Sequence, residues 1–201
     1  GGYLVSNKPW VGWIETQNGT FHLDSPVFRI TDIAHALGQI ARFNGHGRFF
    51  YSVAEHSCLV AAIMEELDIG DPFEGLMHDA TEAYLSDVPS PFKAGLPDWR
   101  ATDAMLTEKL REVYRLPPAM TEDCRVADTL ALFIEAHELM PSRGRMENWA
   151  SPEQLELQPQ ADWLREERGF RLEGWGPVRA TAEFQLFFNA IQAKKRHAKS
   201  A

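Results

Sequence analysis

Hydrophobic and polar positions alternate near the start of the chain and then change to a helical period. Short alternating segments lie on either side of Asn18-Gly19, a dipeptide that favours a tight turn between strands. This pattern predicts a small β-hairpin over about residues 11–23. From about residue 31 to residue 195, apolar positions recur at the spacing of amphipathic helices.

Start signals and breaks divide the helical region into separate elements. Thr31 is predicted to cap the first helix, and Ser52 followed by Glu55 gives the capping-box pattern for the second. Pro72 is predicted to begin a third helix. Three prolines predict that residues 87–98 are largely loop. Further helices are expected at about 98–115, 119–140, 152–167 and 179–194.

Composition is consistent with one globular domain. The 201 residues are 44% hydrophobic and 24% charged, which supplies enough apolar side chains for a sizeable core. The chain has no internal repeat, low-complexity tract or linker, and residues such as Trp149 mark connections between helices. We therefore predict an all-α helical bundle with a small N-terminal β-hairpin, forming one domain over residues 1–201.

Charge and cysteine content restrict the class of protein. The formal net charge of −9 argues against general nucleic-acid binding, which usually needs a basic surface. A small anionic substrate remains compatible, because a divalent metal and a few cationic groups can reverse the charge inside one cleft. No apolar run approaches a membrane span, and no signal-peptide pattern is evident. Cys58 and Cys124 do not make a disulfide framework, so a reduced, cytoplasmic setting is expected.

Histidine and aspartate occur at positions where the surrounding sequence is apolar and helical. The residues concerned are His56, His78, Asp79 and Asp128. A buried aspartate is unfavourable unless it is paired or bound to a cation. Neutral imidazole and carboxylate suit divalent transition metals, so convergence of these side chains predicts a metal site. A buried Asp–His hydrogen-bond network without a metal is the structural alternative.

The order of these four residues resembles the H…HD…D signature of the HD-domain metal-dependent phosphohydrolases. The segment Tyr51–Ser57 resembles the first-ligand helix of that superfamily, and the segment His78–Lys93 resembles the central motif of its small nucleotidase and deoxynucleoside triphosphatase branch. The resemblance covers about residues 30–140. It implies an HD-domain helical bundle with one divalent transition metal (Zn, Mn, Co, Ni or Fe), and Mg²⁺ could enter with the substrate. The implied metal ligands are His56, His78, Asp79 and Asp128.

The interval between Asp79 and Asp128 contains no histidine. Relatives with two-metal centres, such as the cyclic-nucleotide and cyclic-dinucleotide phosphodiesterases, supply further histidines in this interval. The resemblance therefore implies one principal metal and argues against those activities.

Three acidic residues are candidates for catalysis. The resemblance implies that Asp79 both binds the metal and orients a water. Glu82 lies three residues further on, on the same face of a helix, and would deprotonate that water or relay a proton; an ordinary surface salt bridge is its alternative. Asp87 would protonate the leaving oxygen or contact the ribose, although a turn-capping role also fits its position. Glu135 shares a helix face with Asp128 and could support a metal ligand or form a structural ion pair.

Basic and aromatic residues of a glycine-rich loop are candidates for substrate binding. Arg42-Phe43 matches an Arg–aromatic pair that meets the substrate in the resembling branch, where bacterial 5′-nucleotidases have Trp in place of Phe43. Arg48 could bind phosphate bidentately, and Lys93 could contact phosphate as a point charge. His46 fits either the same pocket or the loop surface.

The resemblance implies a metal-dependent phosphohydrolase of (deoxy)nucleotides. Two substrate classes fit, namely nucleoside 5′-monophosphates and deoxynucleoside triphosphates such as dATP. The expected partner is this small-molecule substrate, the expected location is the cytoplasm (of the host, if a phage encodes the chain), and the expected assembly is a homo-oligomer, a dimer or hexamer. A non-catalytic nucleotide-binding regulatory module is the alternative, and loss of a ligand or of Glu82 would favour it.

Overall fold

The structure is a computed structural model that describes residues 12–142, 145, 147 and 149–198. Near the N-terminus, β1 (Trp13–Thr16) and β2 (Gly19–His22) pair antiparallel, with Trp13 opposite His22 and Thr16 opposite Gly19. Helices make up most of the remainder. The predicted fold class, all-α with a small N-terminal hairpin, is confirmed; Val11, at the start of the predicted hairpin, lies outside the described residues.

Helices follow the hairpin as far as the end of the described chain, and none of those described is both long enough and apolar enough to cross a bilayer. Their bounds are α1 (Ile30–Gln39), α2 (Val53–Leu67), α3 (Pro72–Met77), α4 (Glu82–Leu85), α5 (Ser90–Lys93), α6 (Pro97–Tyr114), α7 (Glu122–Leu139), α8 (Pro152–Leu155), α9 (Gln158–Glu166) and α10 (Pro177–Ala198). A 3₁₀ turn over Arg42–Gly45 and then residues 46–52 connect α1 to α2.

The predicted start of α2 is confirmed, but its capping box is not formed. The Ser52 hydroxyl accepts a hydrogen bond from the Glu55 backbone N–H at 3.1 Å, as an N-cap residue does. The Glu55 carboxylate points elsewhere and accepts three backbone N–H groups of residues 173–175, at 2.7 to 3.0 Å. A distant segment therefore replaces the reciprocal half of the capping box.

Two other predicted boundaries were wrong, whereas Pro72 does begin α3. Helix α1 begins at Ile30 without a side-chain cap, and the Thr31 hydroxyl instead accepts a hydrogen bond from the Asn18 amide at 3.1 Å. The single helix expected over 152–167 is divided into α8 and α9. Pro159 lies in the first turn of α9, just after this division. A proline inside a helix removes one backbone hydrogen bond and clashes with the preceding turn, which explains why the helix is interrupted here.

Helix α2 contributes to two buried apolar clusters. The first includes Ile33 of α1, Leu76 of α3 and Phe184 of α10, and the second includes Leu130 and Phe133 of α7. Burying each such side chain contributes about 1.5–3 kcal/mol. The two cysteines are free thiols, one in each cluster, as expected from the sequence. Because both clusters include residues of α2, that helix is packed on two sides.

A buried ion pair joins α3 to α6 and to the start of α7. The Glu74 carboxylate accepts hydrogen bonds from the Arg111 guanidinium, from the Thr121 backbone N–H at 3.0 Å and from the Thr121 hydroxyl at 2.6 Å. Both charged side chains are almost fully buried. Breaking such a pair is strongly destabilising because it leaves one buried charge uncompensated. The pair fixes α3 relative to α7, the two helices that lead into the site described next.

Candidate metal centre

Four side chains from three helical regions meet at one point. His56 lies in the first turn of α2, His78 and Asp79 directly follow α3, and Asp128 lies on α7. The Nε2 atoms of the two histidines are 3.2 Å apart. Asp128 Oδ1 lies 3.2 and 3.8 Å from those of His56 and His78, and Asp79 Oδ2 lies 3.5 and 3.2 Å from them. Two ligand atoms that share an ion at about 2.1 Å are themselves about 3–4 Å apart, so these separations fit one ion.

Within this arrangement, His56, His78 and Asp128 form a set whose members are all mutually close. Their ligand atoms all lie within 4.8 Å of one another, so the three side chains can hold a metal ion. Asp79 contacts both histidines but is not part of that mutually close set. The structure thus brings together all of the residues that the sequence offered as ligands.

The hydrogen bonds of the two imidazoles leave their Nε2 atoms available for an ion. His78 Nδ1 lies 2.7 Å from the Gly75 carbonyl oxygen, which can only accept, so Nδ1 carries the hydrogen. His56 Nδ1 lies 2.6 Å from Glu135 Oε1 and donates to that carboxylate in the same way. Two neutral rings in these tautomers would place two lone pairs face to face at 3.2 Å. A cation or a proton between the rings removes this repulsion.

The charges around the two rings favour a cation. Burial opposes protonation of His78, but the charge and hydrogen bond of Asp79, the charge of Asp128 and the hydrogen bond to Gly75 together outweigh burial and raise the His78 pKa to about 10. Burial likewise opposes ionisation of Asp79, but the neighbouring His78 lowers its pKa well below the ordinary value. These shifts mean that the carboxylates hold their negative charge and require a positive partner. A divalent ion is a stronger partner than a shared proton.

Glu135 fixes the orientation of His56. Its side chain is fully buried, and it accepts hydrogen bonds from His56 Nδ1 at 2.6 Å and from Arg42 Nη2 at 2.9 Å. Burial opposes its ionisation, but the charges of Arg42 and His56 keep the Glu135 pKa below its ordinary value. A carboxylate in this position sets the tautomer of a metal-binding histidine. The hydrogen bond to His56 corresponds to the supporting role considered for Glu135 from the sequence, and the contact with Arg42 corresponds to the structural ion pair.

A cavity of about 530 Å³ opens onto Asp79 and Asp128. Pockets of this size hold small organic ligands. Its walls include most of the residues that the sequence offered for catalysis and substrate binding, namely Arg42, Phe43, Asp79, Glu82, Asp87 and Lys93.

Glu82 and Lys93 form an ion pair on the wall of this cavity, with Lys93 Nζ 3.3 Å from Glu82 Oε1. Burial, reinforced by the charges of Asp79 and Asp87, raises the pKa of Glu82 well above its ordinary value. The pKa of Asp87 is also raised, chiefly by burial. Carboxyl groups with raised pKa values can exchange protons near neutral pH, which is what general acid–base chemistry needs.

Two predicted substrate residues lie elsewhere. His46 and Arg48 are exposed on the loop after the 3₁₀ turn and do not line the cavity. Conversely, Thr129, Leu132 and Trp149 line the cavity although the sequence did not identify them as binding residues. Only Trp149 gave a signal that could have been used, because it is a large aromatic residue in a polar connecting segment.

Phe43 adopts a backbone conformation that bulky residues rarely tolerate. Its φ of 54° and ψ of 31° lie in the left-handed region, and Asn44 follows with a φ of 50°. Such a conformation costs about 1–3 kcal/mol and persists where the surrounding structure enforces it, commonly at functional sites. The Arg42 guanidinium carbon lies 5.3 Å from the centre of the Phe43 ring and supports it in the cavity wall.

Comparison with known proteins finds relatives without an assigned activity. No protein-family profile matches the chain. Over 110 residues, which cover 55% of this chain and 60% of the relative, it is 43% identical to the uncharacterized protein YfdR of Escherichia coli K12. Over 121 residues, which cover 55% of this chain and 62% of the relative, it is 35% identical to an uncharacterized protein of Rhodobacter capsulatus. The chain thus spans about three-fifths of the length of the curated relatives it matches, and neither name states an activity.

Proposed function

We propose that this chain is a metal-dependent phosphohydrolase of (deoxy)nucleotides, cleaving either deoxynucleoside triphosphates or nucleoside 5′-monophosphates. The observation that carries the proposal is the approach of two imidazole Nε2 atoms to within 3.2 Å, with two carboxylates against them, at the wall of a cavity that also holds Glu82 and Lys93. The H…HD…D order of the ligands, which resembles that of HD-domain phosphohydrolases, supports the same conclusion.

His56, His78, Asp79 and Asp128 would hold one divalent transition metal. Two nitrogen and two oxygen donors suit Zn²⁺, Mn²⁺, Co²⁺, Ni²⁺ or Fe²⁺, and Mg²⁺ could accompany the substrate phosphates. When bound, such an ion lowers the pKa of a bound water and polarises a phosphoryl oxygen.

Glu82 is the residue best suited to move a proton. Its Oε1 faces Lys93, while Oε2 has no hydrogen-bond partner among the described residues. A buried carboxyl with a raised pKa and a free oxygen can accept a proton from the attacking water and pass it on. Asp79 would orient the water, and Asp87 on the same cavity wall would protonate the leaving oxygen.

Lys93 and Arg42 would bind the phosphate in different ways. The Lys93 side chain is 30% exposed, and its ammonium pairs with Glu82 and lies 5.2 Å from the centre of the Trp99 ring, so it can turn to an incoming phosphate. The Arg42 guanidinium already donates to Glu135, and its Nη1 lies 3.7 Å from Asp79 Oδ2. Arg42 would therefore supply fixed positive charge, while Lys93 makes the direct contact.

The test is a nucleotide panel assayed with several divalent metals. We expect the metal-loaded protein to release inorganic phosphate from dAMP or tripolyphosphate from dATP, and identification of the phosphate product separates the two substrate classes. His78→Ala should abolish turnover, whereas the exposed His22→Ala, matched in chemistry, should retain it. The proposal fails if Mn²⁺, Co²⁺, Zn²⁺ or Mg²⁺ binds and neither nucleotide is consumed. Nucleotide binding without turnover would then indicate the regulatory alternative.

A further inference from the structure

Trp149 lies on the wall of the cavity that contains the candidate metal centre. It is half-buried, and its ring meets the Phe43 ring edge to face, with centroids 5.9 Å apart and planes at 74°. Leu132 of α7 lines the same cavity. These three side chains give the cavity, whose lining also includes six charged residues, an apolar, largely aromatic wall.

Binding of a phosphate and a metal ion does not require this apolar wall. A phosphate and a metal ion are recognised by Arg42, Lys93 and the carboxylates alone. An aromatic wall in a wet cavity recognises a flat apolar group, because a planar ring stacks on it and removes both surfaces from water. The strained backbone of Phe43 is consistent with this purpose, since the loop holds that ring against Trp149 at a conformational cost.

A fixed polar group lines the same cavity as the aromatic pair. Gln154, which also lines the cavity, accepts a hydrogen bond from the Ser151 backbone N–H at 3.0 Å, and its amide nitrogen lies 3.4 Å from the Thr129 hydroxyl. These contacts use one acceptor and one donor position of an amide that has two of each. The orientation of the amide is set, and it can still donate to and accept from the edge of a heterocycle.

We propose that Trp149 and Phe43 form a slot for the base of the nucleotide, with Gln154 at its edge, so that the protein selects nucleotides over phosphate compounds that lack a base. The inference rests on the proposed function for its phosphate end but assigns the opposite end of the ligand. Trp149 is the residue newly assigned, as a determinant of specificity that acts by stacking.

A purely structural pairing of Phe43 with Trp149 is the competing explanation, and substrate ratios separate the two. Each substrate is compared with its counterpart lacking the base: dAMP with 2-deoxyribose 5-phosphate, and dATP with 2-deoxyribose 5-triphosphate. Loss of one stacking partner is expected to lower the kcat/KM ratio of nucleotide over counterpart about tenfold in Trp149→Ala, mainly through KM. Trp149→Phe should keep most of the ratio. Trp163→Ala, which removes an exposed tryptophan outside the cavity, is the matched control.

A binding measurement makes the inference independent of turnover. Addition of dAMP to the metal-loaded protein should quench tryptophan fluorescence, and the quenching should be lost in Trp149→Phe. If no nucleotide is hydrolysed but this quenching persists, the proposed function fails and the base slot stands. If nucleotides are hydrolysed and Trp149→Ala leaves the substrate ratio and the quenching unchanged, the base slot is refuted and the function stands.

Discussion

Glu135 accepts a hydrogen bond from His56 Nδ1 at 2.6 Å, and both side chains are fully buried. Because the other ring nitrogen of His56 faces the remaining ligands, this one contact determines which atom of the imidazole an ion can use. Arg42 balances the negative charge of Glu135 from the opposite oxygen. The orientation of the candidate metal centre thus depends on a carboxylate whose two oxygens contact His56 Nδ1 and Arg42.

Replacement of Glu135 by glutamine should weaken metal binding about 10- to 100-fold while the protein still folds. The amide retains one acceptor oxygen but presents N–H groups to either Arg42 or His56, which both donate. The dissociation constant for Zn²⁺ or Mn²⁺, measured by calorimetry, checks this. Glu122→Gln, at an exposed position in the first turn of the same helix, should leave the constant unchanged. Equal affinities for Glu135→Gln and the parent protein would rule out the orienting role.

Removal of metal should lower the thermal stability of the protein. The carboxylates and imidazoles at the site lose their common cation on chelation, and an ion at one hundred times its dissociation constant contributes about 2.7 kcal/mol through mass action. The melting temperature should fall with a chelator and recover when Zn²⁺ or Mn²⁺ is restored. His78→Ala should abolish the recovery and His22→Ala should not; a recovery of the same size in both variants would exclude this site.

Metal binding should release protons and strengthen as pH rises. The His78 pKa is raised to about 10 in the folded protein, so the metal-free ring is protonated at pH 7.5 and the ion must displace that proton. Affinity should therefore rise with pH up to the raised pKa and level off above it. The His56 pKa is also raised, so calorimetry in buffers of different ionisation enthalpy should give at least about one proton released per ion. An observed enthalpy that does not depend on the buffer would contradict the assignment.

Replacement of Glu82 by glutamine should lower kcat about 10²- to 10⁴-fold without a comparable loss of metal affinity, because in the proposed function the carboxyl would transfer protons and is not one of the four candidate ligands. Turnover of dAMP or dATP and the metal dissociation constant are measured on the same preparation. Glu108→Gln, on the exposed face of α6, serves as the control. Loss of metal binding together with turnover would instead make Glu82 a ligand.

Replacement of Glu55 by glutamine should destabilise the protein by about 1–3 kcal/mol. One amide nitrogen would then face backbone N–H groups of residues 173–175 that need an acceptor, so a buried donor is left unpaired. Urea unfolding gives the free energy. Glu66 lies on the same helix as Glu55 and forms a surface ion pair with Arg168. Glu66→Gln, which removes this pair, should cost roughly 0–1 kcal/mol. Similar losses in the two variants would show that the contacts of Glu55 with residues 173–175 contribute little to stability.

Local sequence signals were sufficient for the fold class and for finding side chains that the fold brings together. The hairpin, the start of α2 at Ser52 and the start of α3 at Pro72 follow from turn, cap and proline chemistry, which depend on neighbours in sequence. The four candidate ligands stood out because histidine and aspartate are unfavourable in apolar surroundings. The division between α8 and α9 was also present in the sequence, at Pro159, and was overlooked.

Contacts between distant segments could not be predicted in this way. Glu55 looked like half of a capping box, and nothing near it indicates that its partners begin 118 residues further along. The pairing of Glu74 with Arg111 is of the same kind, since each residue alone resembles an ordinary surface charge. Trp149 acquires significance only when the fold brings it to Phe43.

The hydrogen bonds between Glu55 and residues 173–175 also affect the order of folding and metal loading during synthesis. Its three backbone partners, residues 173–175, lie 118 to 120 residues after Glu55, which directly precedes His56 in the sequence. At ordinary rates of translation this separation corresponds to a delay on the order of ten seconds. A nascent chain has all four candidate ligands before it has the segment that anchors the first turn of α2. We therefore expect loading with metal to follow synthesis of residues 173–175.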